Sequence, residues 1–178
     1  MQTEDYYLYK QYIEILRELL NECGVNTNKI KQGDIPVFYN EYKLRTFENI
    51  NHEVFVSKEL FKNKEYQKFK YVINQIIEKA KTGNNLNMYL SKSIKDNIIK
   101  PDKMLNDWGV VHLHLGDKEK NGYVNRTKEL LFIYRDNQDK TKLYILDIFS
   151  HGDWSMKKTI EILRNNWKNA IEKYRTKG

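Results

Sequence analysis

Two of the chain's four histidines, His112 and His114, stand one residue apart in the run "VVHLHL". In an extended chain alternate residues share a face, so the two imidazoles project together with Cα atoms roughly 6.5 to 7 Å apart. Histidine is the side chain that gives and takes protons near neutral pH. Downstream, "RTKELLFIYR" opens on Arg126 and ends on Tyr134 and Arg135, and "KLYILDIFSHGDW" holds Asp147, His151 and Trp154. Gathered on one sheet, these groups suit RNA cleavage. A general base takes the proton of the 2′-hydroxyl, a general acid protonates the leaving 5′-oxygen, and a fixed cation stabilises the charged phosphorane. His112 and His114 are the candidate base and acid and Arg126 the cation. His151 is a phosphate ligand or a ring held by Asp147. Tyr134 is a supporting group or a strand aromatic, and Trp154 offers a surface on which a base could stack. This chemistry calls for no metal and no cofactor.

The same residues allow two other readings. H-x-H on one strand face, with a further histidine and an aspartate, is one way to build a metal site, although only two of the ligands are close in sequence. Paired strand histidines also serve structurally, bonded to backbone or lying exposed. Asp147 is a carboxylate inside an apolar strand and needs a partner, for which an imidazole is natural. His52, in "NINHEVFV", stands apart and reads as a surface or capping residue.

The elements that must position these groups follow from periodicity. Residues 4–22, "EDYYLYKQYIEILRELLNE", place Leu8, Tyr12, Leu16 and Leu19 or Leu20 on one face of an amphipathic helix that stops at Gly24. Residues 25–56 read as irregular with short strands in "IPVFYNEYKLRTF" and "HEVFV". Ser57 then opens a helix in which Phe61, Phe69, Val72 or Ile73, Ile76 and Ala80 keep the helical period until Gly83. Its outer face carries Lys58, Lys62, Lys64, Lys68 and Lys70. These form either a track for a phosphate backbone or a solvated face balanced by Glu59 and Glu65. One or two short helices follow, with Pro101 starting a turn and Gly109 ending it. From Val110 the period becomes two, and "VVHLHL", "RTKELLFIYR" and "KLYILDIFS" make three strands of an antiparallel meander. Val111, Leu113 and Leu115 are its expected core side, with the histidines opposite. A last helix, "SMKKTIEILRNNWKNAIEKYR", closes the chain. Helices, meander and helix in that order define an α+β class.

At 178 residues and 40% hydrophobic, the chain is the size of a single domain, with a mainly helical part over residues 1–100 and the chemistry-bearing sheet over 101–178. The 31 Lys and Arg against 24 Asp and Glu leave a charge of +7. That favours a polyanion such as RNA, with Lys62, Lys64, Lys68, Lys70 and Arg135 as candidate contacts. The lone Cys23, read as a small half-buried residue, has no partner for an internal disulfide and fits a reducing cytoplasm. No stretch approaches the roughly 20 apolar residues of a membrane span, so a cytoplasmic protein without a membrane partner is expected.

The block from "HLHLG" through "RTKELLFIYR" and "KLYILDIFSHGDW" to the last helix resembles the sheet of the RelE and barnase-like ribonuclease superfold. The resemblance implies a metal-independent endoribonuclease, a toxin or phage-defence effector, acting on RNA and controlled by an antitoxin or partner protein. It covers about 70 of the 178 residues and rests on strand order. Sites in RelE toxins are built from Arg, Lys and Tyr. Arg126, Tyr134 and His151 therefore sit where a site residue is expected, and the H-x-H pair has no counterpart. The pattern "DWGVVHLHLG…R…LLF…HG.W…NW" is also similar to a group of uncharacterised bacterial proteins. The first hundred residues lie outside the resemblance and would be a partner-binding or RNA-binding extension. The rival expectation is a non-catalytic module that binds nucleic acid or protein, a regulator or inhibitor carried by a mobile element.

Overall fold

The computed structural model describes residues 3–96, 102–136, 138–150 and 156–172. The chain divides into two compact units, residues 1–46 with 92–101 and residues 47–91 with 102–178. The first unit ends at Thr46 and takes in the segment from Lys92.

Unit 1 is built on α1 (Thr3–Glu22) and α2 (Ile35–Arg45). Ile13, Leu16 and Leu20 of α1 form one core with Val25, Ile30, Ile35, Phe38 and Tyr42. The face predicted for α1 is thus only partly the buried one, since Leu8, Tyr12 and Leu19 are exposed. Cys23 is exposed too. The connection between the helices is held by side chains: Arg17 donates to the Thr27 and Ile30 carbonyls at 2.7 and 3.3 Å, and the Thr27 hydroxyl donates to the Asn21 side chain at 3.0 Å. The run "IPVFYNEYKLR", expected to be strand-like, is α2. Its aromatic content suggests strand, but Ile35, Phe38 and Tyr42 are spaced three and four apart and are the residues it buries. Pro36 in the first turn costs the helix no hydrogen bond.

Unit 2 is a mixed sheet between helices. β2 (Val110–His114), β5 (Glu129–Arg135) and β6 (Lys142–Ser150) form the expected antiparallel meander. β1 (Glu53–Val56) adds a fourth strand parallel to β6, giving the order β1-β6-β5-β2. The register of β6 against β5 slips at Phe132/Ile133: Phe132 faces Asp147 and Ile133 faces Ile145, which leaves Leu146 as a bulge. The link between β2 and β5, expected to be a loop, holds a small hairpin of β3 (Glu119–Lys120) and β4 (Tyr123–Val124). Its turn residues Asn121 and Gly122 have φ of 56° and 77°, the left-handed pair that an Asn-Gly hairpin turn requires.

The helices of unit 2 are shorter than periodicity suggested. Ser57 caps α3 (Lys58–Lys62), its hydroxyl accepting from the Leu60 amide at 3.1 Å, and the chain breaks at Asn63 before α4 (Tyr66–Lys81). Asn63 is extended there, and its side-chain oxygen accepts from the Glu65 amide at 2.9 Å. α5 (Lys103–Trp108) is capped by Asp102 and ended by Gly109 at φ 66°, as expected of that glycine. Pro101 lies outside the described residues. The last helix is two pieces, α6 (Met156–Asn166) and α7 (Lys168–Ile171), separated at Trp167.

Val110, Leu130, Phe132, Tyr134, Tyr144 and Leu146 form one core with Met104 of α5 and Ile162 and Leu163 of α6. Trp167, Ala170 and Ile171 pack on the same cluster. On the other side of the sheet Val111, Leu113, Leu131 and Ile133 are equally buried. There Lys68 of α4 reaches Glu129 at 3.8 Å, on the face of Leu131 and Ile133.

Candidate functional site

Cross-strand partners share a face, so the register puts His112 beside Phe132 and His114 beside Leu130. Both of those neighbours belong to the core that α5, α6 and α7 cover. The expectation that Val111, Leu113 and Leu115 are the core side and the histidines point away from it is therefore corrected: both faces of β2 are packed. A strand buried on both sides loses the polar–apolar alternation that sorts inside from outside, and "VVHLHL" was read as if one side were open.

His114 is 4% exposed, and its Nδ1 accepts the Thr127 amide at 3.3 Å. With Nδ1 an acceptor, the proton of the neutral ring sits on Nε2. Thr127 fixes this corner further: its hydroxyl accepts from the Leu115 amide at 2.9 Å and donates to the Glu129 carbonyl at 2.6 Å. His112 is half-buried, its ring 5.8 Å from that of Phe132. Arg126 lies in the connection before β5 rather than in the strand, and its side chain is exposed and bonded to the Ser91 hydroxyl at 2.8 Å.

Asp147 is half-buried, and its Oδ1 accepts from the Asn63 amide at 2.7 Å and from the Ile148 backbone at 2.8 Å. Burial pushes its carboxyl above the usual range, and the hydrogen bond from Asn63 opposes that shift. The same Asn63 amide donates to the Ile148 carbonyl at 2.9 Å. A long-range clamp of this kind has no signature in local sequence, and the single helix expected over 57–81 is broken at the residue that makes it.

Tyr134 is fully buried, and its hydroxyl donates to the Ala170 carbonyl at 2.9 Å, tying β5 to α7. Its neighbours Tyr144, Phe55 and Trp167 stack edge and face with centroids 4.9 to 5.5 Å apart in the closest pairs. It is a packing residue first. Arg135 is half-buried with its guanidinium 5.0 Å from the Phe47 ring. Burial lowers its pKa to about 10, and the charge of Glu48 works the other way. His151 and Trp154 lie outside the described residues.

His52, read as a surface or capping residue, is buried. Its two ring nitrogens form no regular hydrogen bond. Desolvation lowers its pKa, backbone groups of Lys140 and Glu48 offset part of that, and the charge of Arg135 adds to it.

The lysines expected on one helix face are split by the break at Asn63. Lys62, Lys64 and Lys70 are exposed, while Lys68 lies 3.6 Å from Glu65 and 3.8 Å from Glu129. Phe61 and Tyr71, at the two ends of this stretch, are exposed as well. Among the described residues no three His, Cys, Asp or Glu side chains gather as a metal-ligand set, and no helix is long and apolar enough to cross a membrane.

Comparison with protein-family models, with curated proteins and with solved structures finds no match to this chain.

Proposed function

We propose that the protein binds single-stranded RNA through unit 2 without cleaving it. The observation that carries this reading is where the charge lies. Unit 2 holds 22 Lys and Arg against 16 Asp and Glu, six of the chain's seven excess positive charges. In sequence its exposed Lys62, Lys64 and Lys70 are flanked by the exposed aromatics Phe61 and Tyr71. Lysines neutralise backbone phosphates and release counterions, and aromatic rings accept any base by stacking. The partners found for His114, Arg126, Asp147 and Tyr134 give each a structural task, which favours binding over catalysis.

The test is binding of a labelled single-stranded RNA at two salt concentrations in EDTA. A Lys62→Glu, Lys64→Glu, Lys70→Glu triple variant should bind at least tenfold more weakly. Its salt dependence should be shallower by roughly two units of log–log slope, since each phosphate contact contributes about 0.7 on single strands. A triple variant that binds as tightly as the wild type would remove this reading.

A metal-independent endoribonuclease is the second reading. It is favoured by half-buried His112 on the strand face of His114, whose Nδ1 bond is to the residue after Arg126. The same RNA incubated in EDTA decides it. Cleavage abolished in folded His112→Ala and His114→Ala variants would support the enzyme, and intact RNA with the wild type would end it.

A further inference from the structure

α1 has two apolar stripes and buries one. Ile13, Leu16 and Leu20 are in the core of unit 1. Leu8, Tyr12, Ile15 and Leu19 are 60%, 48%, 55% and 39% exposed. The exposed set steps by four, three and four residues, the spacing of alternating d and a positions in a coiled coil, so the four side chains line up as a ridge roughly 17 Å long at 1.5 Å per residue. A contiguous apolar strip of this kind marks an interaction surface more often than scattered exposed residues do.

The charges beside the ridge say what fits on it. At 100° per residue, Glu4, Gln11, Glu18 and Glu22 run along its open edge, and the other edge is the buried seam. α1 carries Glu4, Asp5, Glu14, Glu18 and Glu22 against only Lys10 and Arg17, and Arg17 is turned to the Thr27 and Ile30 carbonyls. An acidic helix in a chain of +7 repels RNA. A second copy fits poorly in either orientation. In an antiparallel pair the acidic edges face one another. In a parallel pair the acidic edge of one helix meets the Leu16 side of the other, where Leu16 is already buried. A helix with its own apolar stripe flanked by Lys or Arg satisfies both the ridge and the acids.

We propose that the Leu8–Tyr12–Ile15–Leu19 ridge is the docking surface for a basic amphipathic helix of a partner protein. The proposal uses α1 alone and stands apart from the RNA reading, because Ile15→Glu leaves RNA binding unchanged if both hold.

The test uses the full chain and two labelled synthetic peptides of three heptads with Leu at a and d, one carrying Lys at e and g and the other Glu. The Lys peptide binds, and the Glu peptide binds at least tenfold more weakly. Ile15→Glu weakens the Lys peptide at least tenfold with an unchanged melting temperature, since Ile15 is outside the core. Glu4→Lys, Glu18→Lys and Glu22→Lys together reverse the preference, a result that unspecific apolar adhesion does not give. Absence of binding, or equal binding of the two peptides, overturns the proposal. So does a concentration-dependent dimer that Ile15→Glu abolishes, which would make a second copy the occupant.

Discussion

The sheet of unit 2 and helix α1 of unit 1 treat their side chains in opposite ways. β2 encloses polar groups, with His114 buried and His112 half-buried between two packed faces. α1 leaves apolar groups outside, with a second stripe uncovered beside the one in the core. In β2 periodicity states correctly which residues share a face, and in α1 it merges two stripes, Leu16 and Leu20 being buried while Leu8, Tyr12 and Leu19 are exposed. It does not state what covers that face, and this is where a functional reading of either region stands or falls.

The largest effects should come from the covered positions. Tyr134→Ala removes a fully buried ring and its hydrogen bond to the Ala170 carbonyl, so chemical denaturation should show a loss of about 3 to 5 kcal/mol. In unit 1, Leu20→Ala should lose about 2 to 5 kcal/mol, while its neighbour Leu19→Ala stays within about 0.5 kcal/mol. Equal losses at Leu19 and Leu20 would mean that the second stripe of α1 is part of the core, and the contrast between the two regions would vanish.

Smaller effects sharpen the account of β6. Asn63→Ala takes a donor from both the Asp147 carboxylate and the Ile148 carbonyl and should cost about 1 to 3 kcal/mol. Asp147 has a folded-state pKa raised by burial, so its protonated form is favoured by folding and its contribution is lost as pH rises through that pKa. Asp147→Asn keeps an oxygen for Asn63 and Ile148 and removes the buried charge. It should be neutral or up to ~1 kcal/mol more stable than wild type at pH 7, an advantage that fades below about pH 4. A clear loss at pH 7 would show that the carboxylate has a cationic partner, as the catalytic reading of the histidines would have it.

His52 gives the smallest and most specific signal. Its folded pKa is lowered, so below the unfolded value of about 6.5 the unfolded chain takes up a proton that the folded ring resists. Stability should therefore fall as pH drops from 7 toward 5. The fall should be shallower in His52→Leu, and parallel curves for the two proteins would rule this out.

How much was legible can be judged element by element. The meander was legible because β2, β5 and β6 are neighbours in sequence joined by short polar links. β1 was read as a strand in "HEVFV", but its parallel pairing with β6 spans about ninety residues, and no local pattern records such a partner. The aromatics of α2 favour a strand in isolation, and its burial against α1 selects the helix. The candidate site was the least legible part. Arg126, Asp147 and Tyr134 have the residue types that chemistry needs, but their partners are Ser91, Asn63 and the Ala170 carbonyl, all more than thirty residues away.

By itself, then, the sequence determined periodicity, caps and turns: the α+β order, the antiparallel meander, the stops at Gly83 and Gly109, and the excess of positive charge. These are properties of side chains and backbone over a few neighbouring residues. The tertiary structure alone decided that both faces of the sheet are packed, that His52 is inside, that one stripe of α1 is outside and that Asn63 holds Asp147. Burial and hydrogen-bond partners are settled by what the rest of the chain brings within a few ångströms, and that depends on contacts that no local pattern encodes.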